Sequence, residues 1–454
     1  MKKLFRRLIC AGLICLTLPT ICTATPLAPA KEKQLTQELT AMVGDTGTQV
    51  PGLGVIIYKD GKKAYSKFLG RRSINPDRPI TADTRFRIAS VSKQFTVFSI
   101  MQLVEQKRLD LDKDVSQYLG FQLRNPNYPN TPITLRMLLS HTSSLRDGKL
   151  YAIPPQYSIQ EFFTPQGKFW EDGAHFAPAG QTPAQYFQYS NINYGIAGTI
   201  LEAVTKTRFD RYQKEHILKD LDIKGDYVVG NLSPKSFSNL GTIYQKNNNG
   251  IWDEKGPWYA QIDEYKKGQP AHDLVRIQNP DHRDTDAWYS VSDYKVGTNA
   301  TPFSPQGSLY ISYNELSHCL EFLLHEGKYK GKQVLSPESL ATMFTPHWRY
   351  DAKLSNGNTY GGSMECYGLG ESFIIGDSTS RACRDKVINL EGHMGEAYGL
   401  LSGIFRIPNT KNGFIYISNG EAIAEDDDPR SSGKFSGNYI WEENTIDAIC
   451  RAAF

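Results

Sequence analysis

The sequence predicts a mixed α/β (α+β) protein: an antiparallel sheet flanked by helices, built from both chain ends, with a mainly helical region inserted between them. Three observations carry this expectation. Strand-like runs lie near the start, in PGLGVIIYKDGKKAYSKFLG (51–70), and near the end, in AYGLLSGIFRI (397–407) and GFIYISN (413–419). The sequence between them is richer in helical periodicity. A long apolar segment opening at Ser90 reads as a buried helix, and it falls where the two parts should meet.

In chain order, Lys2, Lys3, Arg6 and Arg7 precede an apolar run, LICAGLICLTL (8–18), too short to cross a bilayer. Small and polar residues follow as far as Ala24. Residues 1–24 therefore read as a secretory signal peptide cleaved after Ala24, which makes the mature protein periplasmic or secreted. A lipoprotein reading through Cys22 is weakened by bulky Ile21. Loss of the four basic leader residues takes the formal charge from +3 to −1, so neither nucleic acid nor an anionic membrane is indicated as a partner. No later segment is long and apolar enough to span a membrane. Four cysteines remain after the leader: Cys319, Cys366, Cys383 and Cys450. Their spacing does not suit zinc, and a Cys366–Cys383 pair flanking two strands is the favoured disulfide among three possible connectivities.

Residues 31–42 read as a short amphipathic helix, and Asp60-Gly61 marks a hairpin between two apolar runs. From Ser90, Val91, Phe95, Phe98, Met101 and Val104 recur at helical spacing, while Val97, Ile100 and Leu103 fill other faces. Lys93 lies one turn from Ser90 on the same face. A lysine desolvated there loses pKa and becomes a usable base for the serine, while the helix N-terminus favours a developing oxyanion. The alternative is a capping serine followed by a snorkelling lysine. Ser-x-x-Lys also occurs at Ser292 and Ser431, but only Ser90 opens a long buried helix.

Further on, ITLRMLLSHTSSL (133–145) reads as a short helix, and YSNINYGIAGTILEAVT (189–205) as a longer one packed closely through Gly195, Ala197 and Gly198. Residues 225–307 carry several Trp and Tyr with weak periodicity, either as a decorated surface insertion or as a flap over a ligand. Helices are expected in 312–327 and 445–454, with LSPESLATMF (335–344) and a strand over Tyr367 to Ile375 between them. Asp281-His282-Arg283-Asp284 and Glu425-Asp426-Asp427-Asp428 read as solvated loops, with no metal and no cofactor expected.

Three motifs in order, Ser90-Val91-Ser92-Lys93, Tyr189-Ser190-Asn191 and His393-Met394-Gly395, sit among family-like neighbours. Those neighbours are ITLRMLLSHTSSL, YSNINYGIAGTILEAVT, GKYKGKQVLSPESLATMFTPHW, YGLG (367–370) and GHMGEAYGLLSGIF. With them the chain resembles the serine β-lactamases and penicillin-binding proteins, in particular the class C-like branch with its D-alanyl-D-alanine carboxypeptidases, D-aminopeptidases and esterases. The resemblance implies a β-lactamase/transpeptidase-like domain over 31–450. Its α/β part would cover about 31–120 and 308–454, and its helical part about 121–307, including the insertion.

It further implies that Ser90 is the nucleophile, that Lys93 and Tyr189 move its proton, and that Asn191 bonds Lys93 and the substrate amide. His393 would stand where the family has the lysine of its Lys-Thr-Gly box, as a weaker, pH-dependent cation beside Gly395. The N–H groups of Ser90 and Glu396 would form the oxyanion hole. Two departures stand out: histidine at 393, which favours peptidase, amidase or esterase chemistry over an efficient β-lactamase, and Ser144 in place of a usual glycine. The expected substrates are small molecules or peptides bearing D-alanyl or β-lactam-like groups. A β-lactamase, a promiscuous esterase and a non-catalytic penicillin- or peptide-binding protein are the alternatives.

Overall fold

A computed structural model describes residues 26–248, 251–261, 263–280, 286–376, 382–421 and 433–454. The leader, the 281–284 cluster, the acidic run 425–428 and Ser431 lie outside the described residues.

Asp60 and Gly61 adopt φ of +52° and +77° and close a hairpin between strands Gly52–Lys59 and Lys62–Ser73. Two left-handed residues are what a two-residue hairpin turn between right-twisted strands needs. Gly52–Lys59 also pairs antiparallel with Gly413–Ser418, placing Val55 opposite Tyr416 and Ile56 opposite Ile415. This pairing joins the two ends of the described chain into one antiparallel sheet, of nine strands among the described residues. Beyond Gly413–Ser418 follow Leu400–Arg406, Leu390–Ala397, Ser372–Ile374, Cys366–Tyr367 and Trp348–Arg349, while Arg78–Pro79 forms the opposite edge.

Alternate side chains enter two cores, as strand pleating demands. Ile56, Ile404, Ile415 and Ile417 face the first, with residues of the helices Ser92–Glu105, Ile192–Thr205 and Tyr313–Leu324. Val55, Ile57, Leu401, Phe405, Phe414 and Tyr416 face the second, which the terminal helices Pro29–Ala41 and Ile440–Ala453 cover. Arg451 and Glu38 tie those two helices together at 2.8 Å.

The helix Ser92–Glu105 is buried at every position from Ser92 to Met101, as its all-round apolar pattern implied. A tight turn at Ala89–Val91 precedes it, with Ala89 at φ +48°. That left-handed residue bends the chain out of strand Arg85–Arg87 and presents Ser90 at the head of the helix. The close packing expected of the 189–205 segment is present: a Cβ on Gly198 would meet Pro305 Cγ at 2.7 Å, and one on Gly195 would meet Thr301 Cγ2 at 2.7 Å.

Four expectations need correction. The helix within 133–145 covers only Leu135–Leu139, because the chain turns through left-handed His141 and Ser144 (φ +57° and +63°). Ser144 thus occupies a conformation that favours glycine. The strand expected over Tyr367 to Ile375 is two short strands broken at Gly370, where φ is +72° and a Cβ would lie 2.7 Å from Val97. The four cysteines are free and buried. Cys366 lies in a short strand toward the sheet edge, whereas Cys383 packs in the second core with Cys450, so the favoured Cys366–Cys383 bond is not formed. Finally, 225–307 is tied into the body rather than hung on it. Tyr244–Asn248 pairs in parallel with Gly420–Glu421 and antiparallel with Trp258–Ala260, and Leu274–Gln278 forms a hairpin with Asp286–Ser290.

The strand leading to Ser90 is held by a buried ion pair. Arg85 Nη2 donates to Glu315 Oε1 at 2.6 Å and Nη1 to Oε2, while Glu315 closes the capping box of helix Tyr313–Leu324 with Ser312. Glu315→Ala leaves a buried guanidinium uncompensated and removes the Glu315 half of the capping box, the bond from the Ser312 N–H. The expected loss is about 3–5 kcal/mol of unfolding free energy, read from the urea midpoint.

Candidate active site

Ser90, Lys93, Tyr189 and Asn191 converge from two helix starts. Lys93, the second residue of the central helix and one turn on from Ser90, is fully buried, and its Nζ lies 2.9 Å from Ser90 Oγ, 2.9 Å from Asn191 Oδ1 and 3.2 Å from the carbonyl oxygen of Gln306. Two of these partners are carbonyl oxygens that can only accept. In the neutral amine they take both hydrogens, which leaves the lone pair facing the Ser90 hydroxyl. Burial lowers the Lys93 pKa to about 7, with Asp147 working in the opposite direction.

Tyr189 hydrogen-bonds Ser90, and its ring centroid lies 4.6 Å from Lys93 Nζ. Its burial raises the phenol far above its ordinary range, so it is a proton donor in the resting site. The ring lies against the His141 imidazole with centroids 4.2 Å apart and the planes tilted by 34°. His141 Nδ1 accepts the Ser190 N–H at 3.1 Å, and burial, then the nearby Lys93, hold the imidazole well below its usual pKa. A neutral His141 therefore braces the Tyr189-Ser190-Asn191 turn.

Asn191 stands at the N-terminus of helix Ile192–Thr205, yet its side chain does not cap it. The cap is supplied from outside by Asp147, a residue that sequence reasoning missed. Asp147 Oδ1 accepts the Ile192 N–H at 2.8 Å, and Oδ2 accepts Asn191 Nδ2 at 3.0 Å. Because Asn191 Nδ2 is committed to Asp147, its Oδ1 must face Lys93. The only available signal was an acidic residue two positions past the end of the family-like segment ITLRMLLSHTSSL.

Gly395 lies against the nucleophile turn: a Cβ there would come within 3.0 Å of Ser90 N and 2.5 Å of Ile88 O. The absent side chain lets the strand Leu390–Ala397 touch the head of the helix, with Glu396 exposed as the next residue along. His393 is placed differently from the cationic role expected of it. It is 1% exposed, Nδ1 donates to Met394 O, and Nε2 therefore accepts from Tyr367 OH at 2.8 Å. Burial and the neighbouring Lys93 hold its pKa at about 3. His393 is a neutral hydrogen-bonding imidazole and supplies no cation for a substrate carboxylate. Among the described residues no group of His, Cys, Asp and Glu is arranged to hold a metal ion.

The sheet, the buried helix carrying Ser90 and Lys93, and the tyrosine turn facing them define a protein of the β-lactamase and penicillin-binding-protein fold. Over residues 33–435 the chain matches the family described as Beta-lactamase, and it belongs to that family. It is similar to the protein named flp from Staphylococcus aureus (strain MW2), 30% identical over 178 residues that make up 38% of this chain and 34% of that protein. The chain thus spans about a third of that relative. Among solved structures it resembles the D-amino acid amidase from Ochrobactrum anthropi SV3 complexed with L-phenylalanine amide (TM-score 0.60, 18% identity, 93% of this chain and 99% of that one). It also resembles the octameric penicillin-binding protein homologue from Pyrococcus abyssi (TM-score 0.59, 21% identity, 87% of this chain and 74% of that one).

His393→Lys would place a second ammonium beside Lys93 in a buried site. The expected outcome is a loss of several kcal/mol of stability and no gain in nitrocefin turnover, measured by thermal unfolding and absorbance.

Proposed function

We propose that this protein is an exported serine hydrolase that forms an acyl-enzyme on Ser90 and acts on D-amino-acid amides, peptides or esters, such as D-alanyl groups of the cell envelope. The observation that carries the reading is the Lys93 amine, buried, with a pKa of about 7 and its lone pair directed at Ser90 Oγ, 2.9 Å away. The basic, apolar and small-residue pattern of residues 1–24 supports export.

In this reading Lys93 takes the Ser90 proton as Oγ bonds the substrate carbonyl carbon. The backbone N–H groups of Ser90 and Glu396 receive the oxyanion across the contact made by Gly395. As the carbon–nitrogen or carbon–oxygen bond breaks, the Tyr189 phenol protonates the leaving group and regains its proton from the Lys93 ammonium. Water then repeats the sequence in reverse and releases the acid. Substrates are favoured that need no fixed cation for a carboxylate, because His393 is neutral. That preference points away from an efficient β-lactamase, and the similarity to a D-amino acid amidase supports amides.

Wild type should acquire a fluorophosphonate or fluorescent-penicillin label at Ser90 and Ser90→Ala should not. Turnover of D-alanyl amides and esters should exceed that of nitrocefin. A protein that binds these ligands without labelling or turnover would be a binding protein instead.

The pH profile tests the base. The neutral amine is the active form, so kcat/KM for a neutral ester should climb about tenfold between pH 6 and pH 8 as Lys93 loses its proton, then level off. A flat profile across that range would remove Lys93 from the role of base.

A further inference from the structure

Of the four cysteines among the described residues, two meet in one core. Cys383 and Cys450 are each 0% exposed and lie in the core that the terminal helices cover. A buried clamp beside them fixes the two chain segments together. Arg384, the residue after Cys383, donates its backbone N–H to Asp447 Oδ1 at 2.9 Å and its Nε to Oδ2 at 2.8 Å. Asp447 is fully buried on helix Ile440–Ala453, and Cys450 follows it by one turn, so the two residues share a helix face. Cys383 is thus one residue from one side of the clamp, and Cys450 one turn from the other. Burial, and then the neighbouring Cys383, push the Cys450 thiol above its ordinary range.

The other two cysteines have no such partner. Cys319 packs on helix Tyr313–Leu324 in the first core, on the opposite face of the sheet from Cys383 and Cys450. Cys366 lies in a short strand opposite Arg349. The charged groups that act on these thiols are Glu371 for Cys319, and Arg349 and Glu391 for Cys366, with no second cysteine among them. The position of Cys383 also matters for the site, because the segment 382–389 runs directly into strand Leu390–Ala397, which carries His393 and Gly395.

We infer that Cys383 and Cys450 are an oxidation site: they join as a disulfide when the chain folds under oxidising conditions, and the bond staples the segment entering strand Leu390–Ala397 to the C-terminal helix. The export proposed above supplies such a compartment, while the pairing itself stands independently of the hydrolase reading. The step is thiol–disulfide exchange with a donor disulfide, carried by a small thiol such as glutathione or by a protein oxidant. One cysteine thiolate attacks the donor and expels one donor thiolate. The second cysteine thiolate then displaces the remaining donor sulfur. One Cys383–Cys450 bond replaces the donor S–S bond, and the two protons and two electrons of the cysteine thiols leave on two donor thiols. Because both sulfurs are closed to solvent in the folded protein, exchange precedes the docking of 382–389, and the finished bond is shielded from reductants. A bond that closes so long a loop stabilises chiefly by restricting the unfolded chain.

Peptide mapping tests the pairing. The reduced, denatured chain is refolded in a mixture of reduced and oxidised glutathione, blocked with N-ethylmaleimide in urea and digested without reduction. The peptides carrying Cys383 and Cys450 should be recovered joined to each other, with Cys319 and Cys366 alkylated. Protein recovered from the periplasm of a bacterial host should give the same map. Alkylated, unlinked Cys383 and Cys450 in the refolded protein, or either of them joined to a different cysteine, overturns the inference. A bond formed in the glutathione mixture but missing from the cell-derived protein supports the pairing and counts against export.

Unfolding gives a second readout. Dithiothreitol alone should leave the bond intact, and dithiothreitol with urea should open it. The urea midpoint of oxidised wild type should fall by roughly 0.5–1 M on reduction. In Cys383→Ser and in Cys450→Ser the midpoint should no longer respond to the reductant, whereas Cys319→Ser and Cys366→Ser should keep the full drop. Equal midpoints for oxidised and reduced wild type, or a drop that persists in Cys383→Ser and Cys450→Ser, overturn the inference.

Discussion

The Lys93 ammonium is shut away from solvent among Ser90, Asn191 and Gln306, and the other features of the site follow from that confinement. Taking a charge out of water without a full counter-charge favours the neutral amine, which is why the pKa falls to about 7 although Asp147 pulls it upward. The dry setting comes from the central helix, which is buried on all sides between the sheet and the helix Ile192–Thr205. A more amphipathic helix would have left Lys93 in water, with its ordinary pKa and no use as a base.

The same desolvation governs the neighbours. It keeps Tyr189 a phenol, and it keeps His141 and His393 neutral, so that both imidazoles serve as hydrogen-bonding braces rather than charges. In the proposed reaction, proton transfer would be concentrated at the Lys93 amine, with the Tyr189 phenol beside it as the donor. Asp147 survives as an anion-forming group in this setting because an N–H at a helix start and an amide both point at it.

Much of the architecture was legible because local rules and tertiary demands agree there. The left-handed pair Asp60-Gly61, the pleated runs of 52–59 and 413–418, and the apolar faces of the Ser90 helix each admit one reading. The 225–307 segment resisted because its strands are short and one of them, Tyr244–Asn248, takes a partner far along the chain, Gly420–Glu421, besides its neighbour Trp258–Ala260. The helix in 133–145 was overextended because nothing local announces that His141 and Ser144 turn left-handed.

At the candidate site the residue types and their order marked Ser90, Lys93, Tyr189 and Asn191, since a hydroxyl and an amine one helical turn apart must share a face wherever the helix lies. The sequence alone determined those chemical groups, the hairpin and the buried character of the helix, all of which are set within a few residues. Only the tertiary structure decided that His393 is an uncharged partner of Tyr367, that Asp147 caps a helix forty-five residues away, and that Cys383 packs with Cys450 rather than bonding to Cys366. Charge state and partner choice depend on how much water reaches a group and on which distant chain segment displaces it, and neither is written in the neighbouring residues.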